Sequence, residues 1–323
     1  MLRIFKSNPF TLLVVAITLF AGIWFYEMIM VKETPVSYGQ ITLLGPLFDK
    51  IPDVRIVRIL LALVIILIEA ALWNTIINRQ SLLKQSTYFP LFFFLLFSSC
   101  RPSMFTFYPS LVASFFLILS ISRLINSYQK DHAYSEIFDG SLFIGIAVLF
   151  YLPCLAFFIF LWASIIVLRT INWRDWTVSV IGFLLPFLFT FTYNKLFYPE
   201  YGWFSKIATQ FTYHKIGLSF SWQQIIVVVT ILITAFVSLW FFSNKVSDNI
   251  LKTQKSWILM LWFCVAATLA FMLSPVKDAH TLFILSIPGS LILSAYFIKT
   301  KSRLLPEFLF VALIGAMVVS LFL

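Results

Sequence analysis

Charge is what this chain has least of. Charged residues make up 11% of its 323 residues, against about 25% in a soluble domain. That shortage, with 61% hydrophobic residues and a mean hydropathy of +0.97, excludes an ordinary water-soluble fold. Cysteine is scarce too: Cys100, Cys154 and Cys264 lie in apolar stretches with no Cys-x-x-Cys or Cys/His spacing, which implies neither a disulfide framework nor a metal centre. Its ten glycines form no phosphate-cradling loop, and there is no Walker lysine, no His-Glu-x-x-His and no serine elbow. ATP-driven transport, zinc proteolysis and serine-hydrolase chemistry therefore have no support in the sequence. The formal net charge of +10 does not point to nucleic acid, because basic residues in so apolar a chain sit mostly at helix ends and set orientation.

What is present is a succession of uncharged runs, rich in 38 phenylalanines. They are Ser7–Tyr26, Ile59–Asn78 (interrupted by Glu69), Gln85–Cys100, Pro102–Ser122, Gly140–Leu168, Trp176–Asn194, Ile216–Asn244, Ser256–Val276, Thr281–Ile298 and Phe308–Leu323. The first follows Arg3 and Lys6 like a signal sequence, but it is long and lacks a small-x-small cleavage site, so it reads as a retained helix. Gly140–Leu168 is anomalous. As one helix it would be about 43 Å long, too long for a hydrocarbon core of about 30 Å, and Pro153 stands in its middle. Two short helices meeting at Pro153 fit better and bring the total to about eleven spans. The expectation is an all-α polytopic membrane protein, one transmembrane domain over residues 1–323, with outer loops at 31–55 and 197–222.

The charges test that reading. With two short helices, the inner loops hold Arg3, Lys6, Arg79, Lys84, Arg123, Lys130, Arg169, Arg174, Lys245, Lys252, Lys255, Lys299, Lys301 and Arg303, which is 14 of the 23 Lys and Arg. A single helix flips everything after it and leaves 10 inside against 13 outside. The positive-inside rule favours the broken pair and a cytoplasmic N-terminus in a bacterial inner membrane.

The residues able to carry chemistry then gather at the outer boundary. Glu27, Glu33, Asp49 and Asp53 offer carboxylates, any of which could act as the general base that an attacking hydroxyl or amide requires. Arg101, Lys277 and His280 offer positive charge for a lipid phosphate, which otherwise needs a divalent cation held by carboxylates. The loop at 197–222 carries Trp203, Tyr213 and Trp222, which read either as an aromatic belt or as a platform for a sugar or polyprenyl chain. Glu69 lies within a span, where an ionisable group is costly and a functional candidate. A secondary transporter would need partners for it at the same depth and inverted repeats, and the sequence has neither. The turn Arg169–Trp176 reads as interfacial anchoring.

Three stretches carry a resemblance: Gln85–Ser122; Ile137–Trp176 with Gly140, Gly145, Arg169 and Arg174, followed by Leu185-Pro186; and Ser274-Pro275-Val276-Lys277 leading to Pro288. In order and texture they resemble the GT-C superfamily, the multipass glycosyltransferases that use polyprenyl-phosphate sugars. The whole chain also resembles an uncharacterised integral-membrane family of Bacteroidota, rich in Phe, with the same NWRDW-like turn. The GT-C resemblance implies a GT-C-like fold, transfer of a sugar from a polyprenyl-phosphate donor to an acceptor on the outer face, and membrane lipid as surroundings. The superfamily's usual adjacent pair of acids in the first outer loop is missing here, since Asp49 and Asp53 are four apart. That departure keeps a second reading open: a non-catalytic subunit working with other envelope membrane proteins in a secretion or assembly complex.

Overall fold

The computed structural model describes residues 9–30, 42, 44, 54–83, 85–99, 107–130, 132–169, 172–197, 251–274, 282–300 and 304–322, with backbone alone at 9, 27–30, 55, 299, 304–305 and 316–322. Among these the regular structure is helical throughout: α1 (Pro9–Met30), α2 (Arg55–Arg79), α3 (Phe89–Ser98), α4 (Pro109–Asn126), α5 (Tyr134–Phe150), α6 (Phe157–Leu168), α7 (Trp173–Phe197), α8 (Leu251–Leu273), α9 (Ser286–Lys299) and α10 (Leu304–Phe322). Among the described residues four segments are long and apolar enough to cross a bilayer: Ile56–Arg79, Pro109–Asn126, Trp173–Phe197 and Leu251–Leu273. Shorter apolar helices fill the space between and around them. Helices suit an apolar solvent because each satisfies its own backbone hydrogen bonds.

The stretch at Gly140–Leu168 is broken where Pro153 stands. α5 ends at Phe150, Leu152–Ala156 forms a single turn of 3₁₀ helix, and α6 begins at Phe157. The chain then comes back. Arg169, just beyond α6, donates through Nη1 to the carbonyls of Ser127 (3.2 Å) and Lys130 (2.7 Å), next to the start of α5. At about 1.5 Å per residue, α5 and α6 span roughly 25 and 18 Å. They form a hairpin whose ends lie together and whose turn points away.

This hairpin defines the two ends of the bundle. At one end Gln80 bonds Asn126, Lys252 bonds Gln80, and Arg169 holds Ser127 and Lys130. At the other, Thr42 Oγ1 donates to the Leu149 carbonyl (3.1 Å) and the Tyr151 hydroxyl to Ser274 Oγ (2.9 Å). The first is the basic end.

Between the ends, phenylalanine rings do the packing. Phe93 stacks on Phe297 with centroids 5.1 Å apart, Phe92 on Phe310 at 5.4 Å, and Phe157 meets Phe263 at 4.7 Å. Burying apolar surface drives little association where the solvent is itself apolar, so close fit and small residues must hold such helices. α5 shows this directly. Gly140 faces Leu124 of α4, where an added Cβ would stand 2.9 Å from the Leu124 side chain. Gly145 faces α7, where a Cβ would stand 2.5 Å from the Phe183 carbonyl oxygen. The two glycines thus serve two different partners. From α7, Gly182 approaches so closely that a Cβ would lie 2.1 Å from Ser141 Oγ.

Candidate functional site

The turn at Pro153 is where separate parts of the chain converge. Proline removes a backbone donor and clashes with the preceding turn, which ends α5 and frees the Leu149 carbonyl region for other partners. Thr42, from the segment between α1 and α2, takes that position, and its Oγ1 also accepts from the Leu44 N–H at 3.1 Å. Tyr151, fully packed, reaches Ser274 at the end of α8. Thr42, from the connection whose sequence carries Glu33, Asp49 and Asp53, and Ser274, which precedes Lys277 and His280 in sequence, are therefore both bonded to one turn, at Leu149 and Tyr151.

Glu69 occupies the middle of α2 and has no exposed surface. Ser114 Oγ lies 2.8 Å from Glu69 Oε1 and 2.7 Å from the Leu111 carbonyl. A hydroxyl has one hydrogen, so it donates to one of these at a time. One turn along α2, the Trp73 indole N–H donates to Ser290 Oγ of α9 at 3.0 Å. These contacts tie α2 to α4 and α9 at mid-depth. The sequence singles out Glu69 but not Ser114 or Ser290, because serine is common throughout the chain and its partner lies 45 or more residues away.

The basic end contains more structure than the anchoring expected of the Arg169–Trp176 turn. Asp175 is wholly buried, and Arg169 Nε meets its Oδ2 at 2.7 Å while its Nη1 closes on the two carbonyls. The pairing with Arg169 offsets part of the cost of burying both charges, while Asp175 Oδ1 is buried with no hydrogen-bond partner among the described residues. Anchoring is present beside it: Trp173 is largely exposed with the Arg174 guanidinium 5.8 Å over its ring, and Trp176 packs edge-on to Trp162. Glu136 pairs with Lys130, whose hydrogen bond holds the carboxyl below its ordinary range.

Of the residues expected to carry chemistry, Glu27 lies in the last turn of α1 and is described by its backbone alone. Glu33, Asp49, Asp53, Arg101, Lys277, His280, Trp203, Tyr213 and Trp222 lie outside the described residues. Among the described residues no three His, Cys, Asp or Glu side chains stand together in a way that could hold a metal ion. Thr42 and Tyr151 were not foreseen, and Ser274 was read only as part of the Ser274–Lys277 stretch, not as a partner of the Pro153 turn. Their one sequence signal is that Tyr151 precedes Pro153 and Ser274 precedes Pro275.

No curated protein and no solved structure matches the chain. A family model does match, over residues 12–323, and it is described only as a family of unknown function. Because that match covers nearly the whole chain, the protein belongs to the family DUF6427.

Proposed function

We propose that this protein is a membrane glycosyltransferase of GT-C type, with about eleven spans, which moves a sugar from a polyprenyl-phosphate donor to an acceptor on the outer face of the bacterial inner membrane. The observation that supports it is the pair of contacts at the Pro153 turn, Thr42 to Leu149 and Tyr151 to Ser274. Sugar transfer from a lipid phosphate needs a base for the acceptor and a cation for the leaving phosphate within one small volume. Tethering the acid-bearing connection and the Ser274–Lys277 connection to one turn favours such a meeting. The basic end then faces the cytoplasm, as the positive-inside rule requires, together with the N-terminus.

In this reading one carboxylate among Glu27, Glu33, Asp49 and Asp53 takes the acceptor's proton. Lys277, with Arg101 or His280, neutralises the departing phosphate, and Trp203, Tyr213 and Trp222 cover the sugar and lipid. The same carboxylates are the oxygen donors that a divalent cation would take. The test is transfer of a labelled sugar from polyprenyl-phosphate donors in membranes carrying each acid replaced by alanine. Loss of general-base catalysis costs about 100-fold or more in rate. Wild-type transfer in all four variants would sink the proposal.

The lipid-facing surface of α7 favours a second reading. Ile181, Leu184, Leu188 and Phe189 are all exposed along it, and a partner helix from another envelope protein could cover them. Purification of the full chain in mild detergent with a stoichiometric second membrane protein and no transfer activity would support a non-catalytic subunit.

A further inference from the structure

At the basic end, among the described side chains of α2 and α4 to α8, the acids are Glu136, Asp139 and Asp175. Each is taken, by Lys130, Arg123 and Arg169 respectively. Arg79, Arg174, Lys252 and Lys255 are left with no acid among the described residues. Arg174 lies over Trp173. Lys252 and Lys255 reach the ends of α2 and α4 where α8 begins, and Arg79 is the exposed last residue of α2.

Two of them are held in place by neutral partners. Lys252 Nζ donates to Gln80 Oε1 at 3.0 Å, and Gln80 in turn donates to Asn126 Oδ1 at 2.6 Å. Lys255 Nζ stands 5.3 Å above the Tyr128 ring. An ammonium has three hydrogens to donate, and an amide oxygen uses one. Neither an amide nor a ring cancels the charge. Both lysines lie in the first turn and a half of a helix, where the dipole is positive, and no acid of that first turn offsets it. Among the described residues no acid compensates this positive charge, which is the setting an anion completes.

The rest of α8 indicates which anion. Lys255 heads a stripe continuing through Ile258, Trp262, Val265 and Leu269, at helical spacings of three and four residues, and all four are exposed. A cationic head above an exposed apolar stripe matches an amphiphile with an anionic head and acyl chains. A free inorganic anion would gain nothing from the stripe. We propose that the junction of α2, α4 and α8 is a binding site for an anionic phospholipid, its phosphate held by Lys252, Lys255 and Arg79 and its acyl chain lying along Ile258–Leu269. This proposal stands independently of the glycosyltransferase reading.

The test uses the full chain in nanodiscs of phosphatidylcholine containing a minor share of phosphatidylglycerol, with retained lipid read by native mass spectrometry. Replacing both Lys252→Gln and Lys255→Gln should lower phosphatidylglycerol retention about tenfold. Replacing both Arg123→Gln and Arg174→Gln removes the same charge from the same end and should change retention by less than about twofold if the junction is specific. Equal losses in the two proteins, or none in the first, overturn the proposal. Displacement of the lipid by inorganic phosphate alone would also overturn it. The charge-keeping protein with Lys252→Arg and Lys255→Arg guards against simple misfolding. It should retain the lipid, and a loss equal to that of the glutamine protein would likewise count against the site.

Discussion

Tyr151 and Ser274 share a hydrogen bond of 2.9 Å across 123 residues of sequence, joining the Pro153 turn to the end of α8. Tyr151→Phe keeps the ring and removes the donor. A hydrogen bond of this kind contributes about 1 kcal/mol net, so the variant should unfold slightly more readily in a detergent titration. A larger effect is expected on the Ser274–Lys277 connection, whose limited proteolysis should quicken while cleavage elsewhere does not. Unchanged proteolysis there would show that the hydroxyl does not hold the connection.

Asp175 and Arg169 should be the most sensitive charged pair at the basic end. Removing one partner of a buried pair costs about 3–5 kcal/mol, because the other charge is stranded. Asp175→Ala should therefore lower the melting temperature sharply. Arg123→Ala, whose partner Asp139 is partly exposed at 3.6 Å, should cost less than about 1 kcal/mol. Differential scanning fluorimetry of the two variants side by side checks the contrast.

Glycine substitutions should separate helix contacts from helix propensity. Gly182→Ala and Gly145→Ala each drive a methyl into backbone or a packed hydroxyl at 2.1–2.8 Å, and overpacking of this sort costs about 1–3 kcal/mol. Gly22→Ala meets nothing within 4 Å and should be neutral or gain up to about 1 kcal/mol from helix propensity. Unfolding free energies of the three variants decide it.

The Lys130–Glu136 pair gives a pH dependence of known sign. Its carboxyl is held below the ordinary range, chiefly by the hydrogen bond from Lys130. Its contribution is therefore complete above the unfolded-state value and is lost as pH falls through the lowered folded-state value. Acid titration of stability should show a small loss in that window, and Glu136→Gln should abolish it. A loss that persists in Glu136→Gln belongs to another carboxylate.

Topology is open to direct labelling. In a protein with its native cysteines replaced, Asn172→Cys should react only with a reagent admitted to the cytoplasm, and Leu44→Cys only with one added outside. Labelling of position 172 from outside would contradict the cytoplasmic placing of the basic end and remove the common-face argument for sugar transfer.

How much of this was legible beforehand varies by element. The break at Pro153 could be read because a 29-residue uncharged run exceeds the bilayer and proline ends a helix wherever it stands. The helix after Arg101 was expected over Pro102–Ser122 and lies at Pro109–Asn126, since hydropathy does not mark a helix end as a cap would. The Arg169–Trp176 turn was read, from its two tryptophans and two arginines, as interfacial anchoring alone. Its buried ion pair escaped notice because Asp175 looks, in sequence, like any charge in a basic loop.

The sequence by itself determined the helical class, the presence of helices long and apolar enough to cross a membrane, and the break at Pro153. Each of these follows from local composition acting over one or two turns of helix. Tertiary structure alone decided that Tyr151 meets Ser274, that Ser114 meets Glu69, that Arg169 buries Asp175, and that Lys252 and Lys255 converge on the ends of α2 and α4. Those pairings join residues that are uninformative singly, and only close packing of helices in an apolar solvent selects them.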